Sequence, residues 1–153
     1  MRLFSIIFSL VLLVSCSKDK FTREPQIKFE GFTSNNFVSP IFDENQAPRL
    51  ILKVTDGDGD IGIDPGRDTA FIHMKNLLTG DSTSLMFPNL GSAAKKNFEA
   101  EVEASIFRVM RGDPPAAPRP WIDTLFFEVY ITDFDKNKSN VIVTPEPFFL
   151  IFP

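Results

Sequence analysis

The stretch from Thr124 to Thr132 constrains this chain most, because it alternates without a break. Leu125, Phe127, Val129 and Ile131 fall on one side of an extended strand; Thr124, Phe126, Glu128, Tyr130 and Thr132 fall on the other. Strand side chains point alternately to two faces, so a segment of this kind must bury one face and leave the other outward. The same period recurs. Ile27 and Phe29 alternate with Gln26, Lys28 and Glu30, and Leu50, Leu52 and Val54 with Arg49, Lys53 and Thr55, Ile51 being the exception. Ala70, Ile72 and Met74 alternate with Phe71, His73 and Lys75. Val141 to Val143 and Phe148 to Phe152 read as two pieces of a last strand, interrupted by Pro145 and Pro147. Prolines remove ladder donors, so this strand is expected at an edge.

Between these runs lie turn signals at Ser39-Pro40, Asp43–Asn45, Asp56–Gly62, Thr79–Ser82 and Asn89–Ser92. Short strands punctuated in this way predict an all-β fold, a sandwich or a barrel, of about seven strands. Residues 97–104 read as a strand, with Phe98, Ala100, Val102 and Ala104 alternating with three glutamates. Phe98, Val102, Ile106 and Met110 also suit an amphipathic helix. The strand is favoured because its neighbours need a partner. Asp113 to Pro120 holds four prolines and is expected to be an extended surface loop. Seventeen Phe against one Trp and one Tyr give large apolar surfaces with few polar tips that need partners.

The N-terminus reads as a lipoprotein leader. Met1-Arg2 is a minimal basic region, Leu3 to Val14 is apolar except for Ser5 and Ser9, and Leu13-Val14-Ser15-Cys16 fits a lipobox. Residues 1–15 would be removed, Cys16 lipidated, and residues 16–24 would tether a single domain over 25–153. The apolar run is too short to span a bilayer, and stable anchoring by acyl chains needs two or more of them. Cys16 is the only cysteine, so once acylated it leaves no thiol for a disulfide, a zinc site or a nucleophile. The net charge of −4 and the lack of a basic run argue against nucleic acid and against electrostatic binding to anionic lipid.

Two acidic loops carry the chemistry. Asp56, Asp58 and Asp60 alternate with Gly57, Gly59 and Ile61, and Asp133-Phe134-Asp135-Lys136-Asn137 follows the long strand. Carboxylates on a flexible backbone are hard oxygen ligands of the kind that calcium takes. The first loop is not an EF-hand, because Ile61 stands where glycine is required and Arg67 where the bidentate glutamate belongs. If strands 49–55 and 124–132 are the second and sixth of an immunoglobulin-like sandwich, both loops emerge at one end. The metal ligands would then be Asp56, Asp58, Asp60, Asp133 and Asp135. Two charges about 5 Å apart repel by roughly 3 kcal/mol at an effective dielectric of 20, so a compact cluster favours a cation. A solvated glycine-aspartate turn that holds no ion is the favoured reading of these residues, with cation binding as the alternative.

Val54-Thr55-Asp56-Gly57-Asp58-Gly59-Asp60-Ile61-Gly62, with Asp123 to Asp133 and Asn137 to Val141, resembles a family of Bacteroidota outer-membrane lipoproteins of unknown function. The resemblance spans most of residues 25–147. It implies an extracytoplasmic immunoglobulin-like antiparallel β-sandwich and carries no activity. Surface-exported members of that group often show an acidic cluster after the cysteine, whereas Ser17-Lys18-Asp19-Lys20 has one acid between two lysines. The periplasmic and surface faces of the outer membrane both stay open. The expected function is a lipid-anchored, non-enzymatic binding or assembly module, calcium-stabilised if the acidic loops hold an ion, with a protein or glycan partner. The alternative is a glycan-acting hydrolase or accessory subunit using the acidic rim.

Four weaker features are read as structural. His73, the sole histidine, is expected at the surface, and no nucleophile elbow accompanies it. Arg111-Gly112-Asp113 is a chance tripeptide. Trp121, Phe126 and Tyr130 would form an aromatic platform for sugars only if left uncovered. Glu99, Glu101 and Glu103 are expected to be a solvated strand face. The anchor is the most directly testable expectation: Cys16→Ala should block lipidation and leave an unprocessed precursor. A mature, acylated mutant in the detergent phase would rule out the lipobox.

Overall fold

The computed structural model describes residues 20–39, 43–64, 68–90, 96–111, 116 and 118–153. The leader, Cys16, the first tether residues to Asp19, and Gly112-Asp113 lie outside the described residues. In chain order the strands are β1 (Gln26–Phe32), β2 (Asn36–Val38), β3 (Arg49–Asp56), β4 (Ile63–Asp64), β5 (Asp68–Thr69) and β6 (Phe71–Asn76). They continue with β7 (Ser82–Met86), β8 (Phe98–Ser105), β9 (Trp121–Leu125), β10 (Phe127–Thr132), β11 (Ile142–Val143) and β12 (Phe148–Phe152). One 3-10 turn, Glu44–Gln46, precedes β3. Among the described residues no helix is long and apolar enough to cross a membrane.

The molecule is an all-β sandwich. One layer has the order β1-β3-β8 and the other β11-β10-β6-β7, both antiparallel. A third group, β2-β12-β9, is joined to the second layer by the chain at Phe126 and at 144–147, with β2 running parallel to β12. The expected strand at 124–132 is divided at Phe126 into β9 and β10. The division follows from a change of partner. Strand β6 ends at Asn76, opposite Phe127, so upstream of that point the chain pairs with β12 instead. The last strand is likewise in two pieces, as expected: β11 pairs with β10, and β12 with β9. Joining each interrupted pair gives seven long strands among the described residues.

The edge placement of that last strand needs correction. Strand β12 is flanked on both sides, by β2 and β9, and only β11 is at an edge. Pro145 and Pro147 are tolerated because they fall in the gap between the pieces. There Thr144 keeps the ladder closed: its N–H donates to the Phe127 carbonyl (2.9 Å), and its hydroxyl accepts from the Phe127 N–H (3.2 Å).

Residues 98–105 form the strand favoured over a helix. Strand β3 offers an unpaired edge, and β8 fills it from Arg49 opposite Ser105 to Asp56 opposite Phe98. The chain then turns at Ile106–Val109, which with Met110 and Ala47 fills one end of the core. The inward rows contain Leu50, Leu52 and Val54; Ile72 and Met74; Phe127, Val129 and Ile131; and Phe148, Leu150 and Phe152. Phe32 packs tilted or edge-on against Phe148 (5.6 Å between centroids) and Phe127 (6.2 Å), joining all three groups of strands.

Val129 is fully buried, opposite Met74 and Ile142. Val129→Asp should therefore cost several kcal/mol, a large share of the about 5–15 kcal/mol a domain has. Glu128→Gln, on the outer face opposite Lys75, should be nearly neutral. Equal melting temperatures for the two variants would show that the register is wrong.

Candidate metal centre

Strands β3 and β10 each carry their inward row one residue too far for a purely apolar core. After Leu50, Leu52 and Val54 the next inward residue is Asp56; after Phe127, Val129 and Ile131 it is Asp133. Both are fully buried, and they come from opposed layers. Asp60 joins them from the loop after β3. One carboxylate oxygen from each of Asp56, Asp60 and Asp133 lies within 4.8 Å of the others.

Local hydrogen bonds set this geometry. Gly59, at φ 79°, lets the loop turn back so that its N–H donates to Asp56 Oδ2 (2.8 Å). The Phe134 N–H donates to the Asp60 carbonyl (3.0 Å) and the Asp135 N–H to Asp60 Oδ2 (3.3 Å), stitching the two acidic loops together. Asn137 holds Asp133 through its backbone N–H (2.7 Å) and its side-chain amide (2.9 Å). Even so, Oδ1 of Asp56, Asp58 and Asp60 are buried with no hydrogen-bond partner. The lysine of the second loop, Lys136, is turned to Asp68 at the rim (2.8 Å) and does not neutralise the cluster.

The electrostatics follow. Burial, with the charges of Asp58 and Asp133, pushes the Asp56 carboxyl up to about 6. Burial and then Asp133, Asp58 and Asp56 push Asp60 to about 7. Asp133 is raised by burial and then by Asp58 and Asp135, against its bonds from Asn137. An all-oxygen cluster fits calcium, which takes oxygens at 2.3–2.6 Å.

Of the five residues expected as ligands, Asp56, Asp60 and Asp133 are brought together, and Asp58 stands beside them with an unpartnered oxygen. Asp135 differs: its side chain is exposed, and it contributes its amide rather than its carboxylate. Asn137 was not among the expected residues, although Asp–x–x–x–Asn is visible after β10. An open hollow of about 460 Å³ adjoins the cluster, lined by Asp58, Gly59, Asp60, Asp68, Phe134 and Asp135.

The remaining features are placed as follows. His73 is half-buried on the outer face of β6, bonded to Ser84 through Nδ1 (2.8 Å) and to Thr132 through Nε2 (3.0 Å). Its second partner is a hydroxyl, where a catalytic triad has a carboxylate. Tyr130 stacks on His73 (4.5 Å) and lies under Lys138 Nζ (3.9 Å), so its ring is already engaged, and Trp121 donates to Asp123 (2.7 Å). Glu99 accepts from Lys20 (2.6 Å) and Lys53 (2.8 Å), which hold it down to about 2. No known protein family, curated protein or solved structure matches the chain.

The raised carboxyls predict an unusual pH dependence. Between about 4 and about 7 the folded state holds protons that the unfolded chain has lost, so metal-free stability falls as pH rises through that window. For Asp56 alone, a rise from 3.8 to about 6 corresponds to about 3 kcal/mol. His73, lowered by burial and then by Lys138, acts oppositely, because it loses stability as pH falls below its unfolded value. The difference between wild type and Asp56→Asn isolates the cluster. In chelator, wild type should gain melting temperature relative to that variant on going from pH 8 to pH 5. Parallel pH curves would refute the assignment.

Proposed function

We propose that this chain is a lipid-anchored, non-enzymatic binding or assembly module of the outer membrane, stabilised by calcium at Asp56, Asp60 and Asp133. The carrying observation is the buried, unpartnered oxygens of Asp56 and Asp60 at the open end of the core. We read the three-on-four strand order as immunoglobulin-like, with β3 and β10 as the second and sixth long strands in opposed layers. The anchor rests on Leu13 to Cys16. The partner is a protein or glycan, with nucleic acid disfavoured by the acidic charge.

The second reading, a glycan-acting hydrolase or accessory subunit, draws on the hollow beside Asp58, Asp60 and Asp135. Glycosidases need two carboxyls that reach the scissile bond. Asp56 and Asp133 have no exposed surface with which to touch a sugar. Structural cation binding is the better fit to that burial.

A ligand that binds only the folded state stabilises it by about 2.7 kcal/mol at a hundredfold excess over Kd. Millimolar Ca²⁺ should therefore raise the melting temperature by on the order of 5 °C or more. Mg²⁺ should raise it less, since its octahedral demand is stricter. Asp60→Asn should abolish the shift. A wild-type melt unmoved by Ca²⁺ would return the loop to a polar turn.

A further inference from the structure

The cation site and the chain leading into the domain share one backbone crossing. Residues 20–24, expected within the tether, lie against the domain at its acidic end. The Gly57 N–H, next to Asp56, donates to the Thr22 carbonyl (2.8 Å), and the Gly57 carbonyl accepts from the Asn97 N–H (2.9 Å). Asn97 in turn accepts from the Lys20 N–H through Oδ1 (2.7 Å), and Lys20 Nζ pairs with Glu99. Gly57 has no side chain for a steric reason: a Cβ there would stand 2.5 Å from the Thr22 carbonyl oxygen and 2.7 Å from that of Phe21. Its φ is not among the positive values, so another residue could adopt its conformation if the Phe21-Thr22 crossing were absent.

We propose that cation occupancy at Asp56, Asp60 and Asp133 clamps residues 20–24 onto the domain, and that loss of the cation releases them. The inference rests on the calcium reading above. With the cation bound, the loop from Asp56 to Gly62 is held closed and presents Gly57 to Thr22. Without it, mutual repulsion among the carboxylates opens the loop and withdraws both hydrogen bonds of Gly57. Because Lys20 lies four residues after Cys16, the site then governs whether the domain sits close to its anchor or swings on a longer leash. Each released residue adds at most about 3.6 Å of reach.

Limited trypsin digestion of the full-length protein in detergent tests this, with cleavage at Lys20-Phe21 and Arg23-Glu24 read by mass spectrometry. Proteolysis follows the population of the open form. Calcium should slow both cleavages by about tenfold or more relative to chelator, a ratio that corresponds to about 1.4 kcal/mol. Asn97→Gly removes the acceptor for Lys20 while tolerating the φ of 58° at that position. It should be cleaved rapidly with or without calcium, yet retain the calcium-dependent rise in melting temperature. Gly57→Ala should behave likewise through its clash with Thr22. Equal cleavage of wild type in calcium and chelator, with the melting shift intact, overturns the clamp and leaves the calcium site standing. Absence of both effects overturns the two together.

Discussion

The sandwich is organised by two facing rows of inward side chains that both end in aspartate. Leu50, Leu52, Val54 and Asp56 lie in one layer, and Phe127, Val129, Ile131 and Asp133 in the other. In an unbroken ladder, a register slip of one residue turns the whole row outward. The register that buries the leucines and phenylalanines therefore also buries the carboxylates. Packing drives the strands together, and the same packing removes two charges from water. Asp60 adds a third charge where the first loop folds back over the pair. A proton or a cation relieves this burden, and the raised carboxyls reflect the first of these.

The two ends of the core resolve their polar groups differently. At the far end Asn76 is fully buried, yet its amide donates to the Val109 carbonyl (2.8 Å), and its carbonyl oxygen accepts from Leu78 (2.9 Å). Ile106, Val109 and Met110 complete that end with apolar surface. Buried polar groups are normally satisfied in this manner. At the acidic end three carboxylate oxygens lack partners although N–H groups of Gly59, Asp135 and Asn137 already bind their neighbours. The local chain has used its donors to aim the carboxylates, and none of those donors fills the space between them. This asymmetry is what distinguishes the acidic end from the Asn76 end.

Period-two alternation carried most of the fold. It placed the inward faces of β3, β6 and β10, and it extends to the site, since Asp56 and Asp133 continue those rows by the same step of two. What alternation does not encode is where a strand changes partner. The break at Phe126 depends on where β6 ends, and the interior position of β12 depends on β2 crossing to run parallel with it. Both are long-range facts about neighbours. The prolines pointed to an edge because they cannot donate, but they occupy a gap that Thr144 bridges. Residue type groups Asp135 with the other acids because it shows charge, whereas only the loop's turn shows that it presents its backbone amide. Lys20 to Glu24 read as a polar tether for a similar reason. Their partners, Gly57, Asn97 and Glu99, are remote in sequence.

Glycine at position 57 ties these observations together. Within an alternating aspartate-glycine run its presence has an obvious local explanation, the freedom to turn, and that explanation holds for Gly59 with its positive φ. It does not hold for Gly57, whose constraint comes from the Phe21 and Thr22 carbonyls lying over its Cα. Flexibility alone would have been met by any small turn residue, whereas close backbone approach excludes every side chain. The run therefore combines two requirements in adjacent positions: carboxylates turned into the core, and a bare backbone turned to the incoming chain. A loop that served only as a solvated turn would need neither.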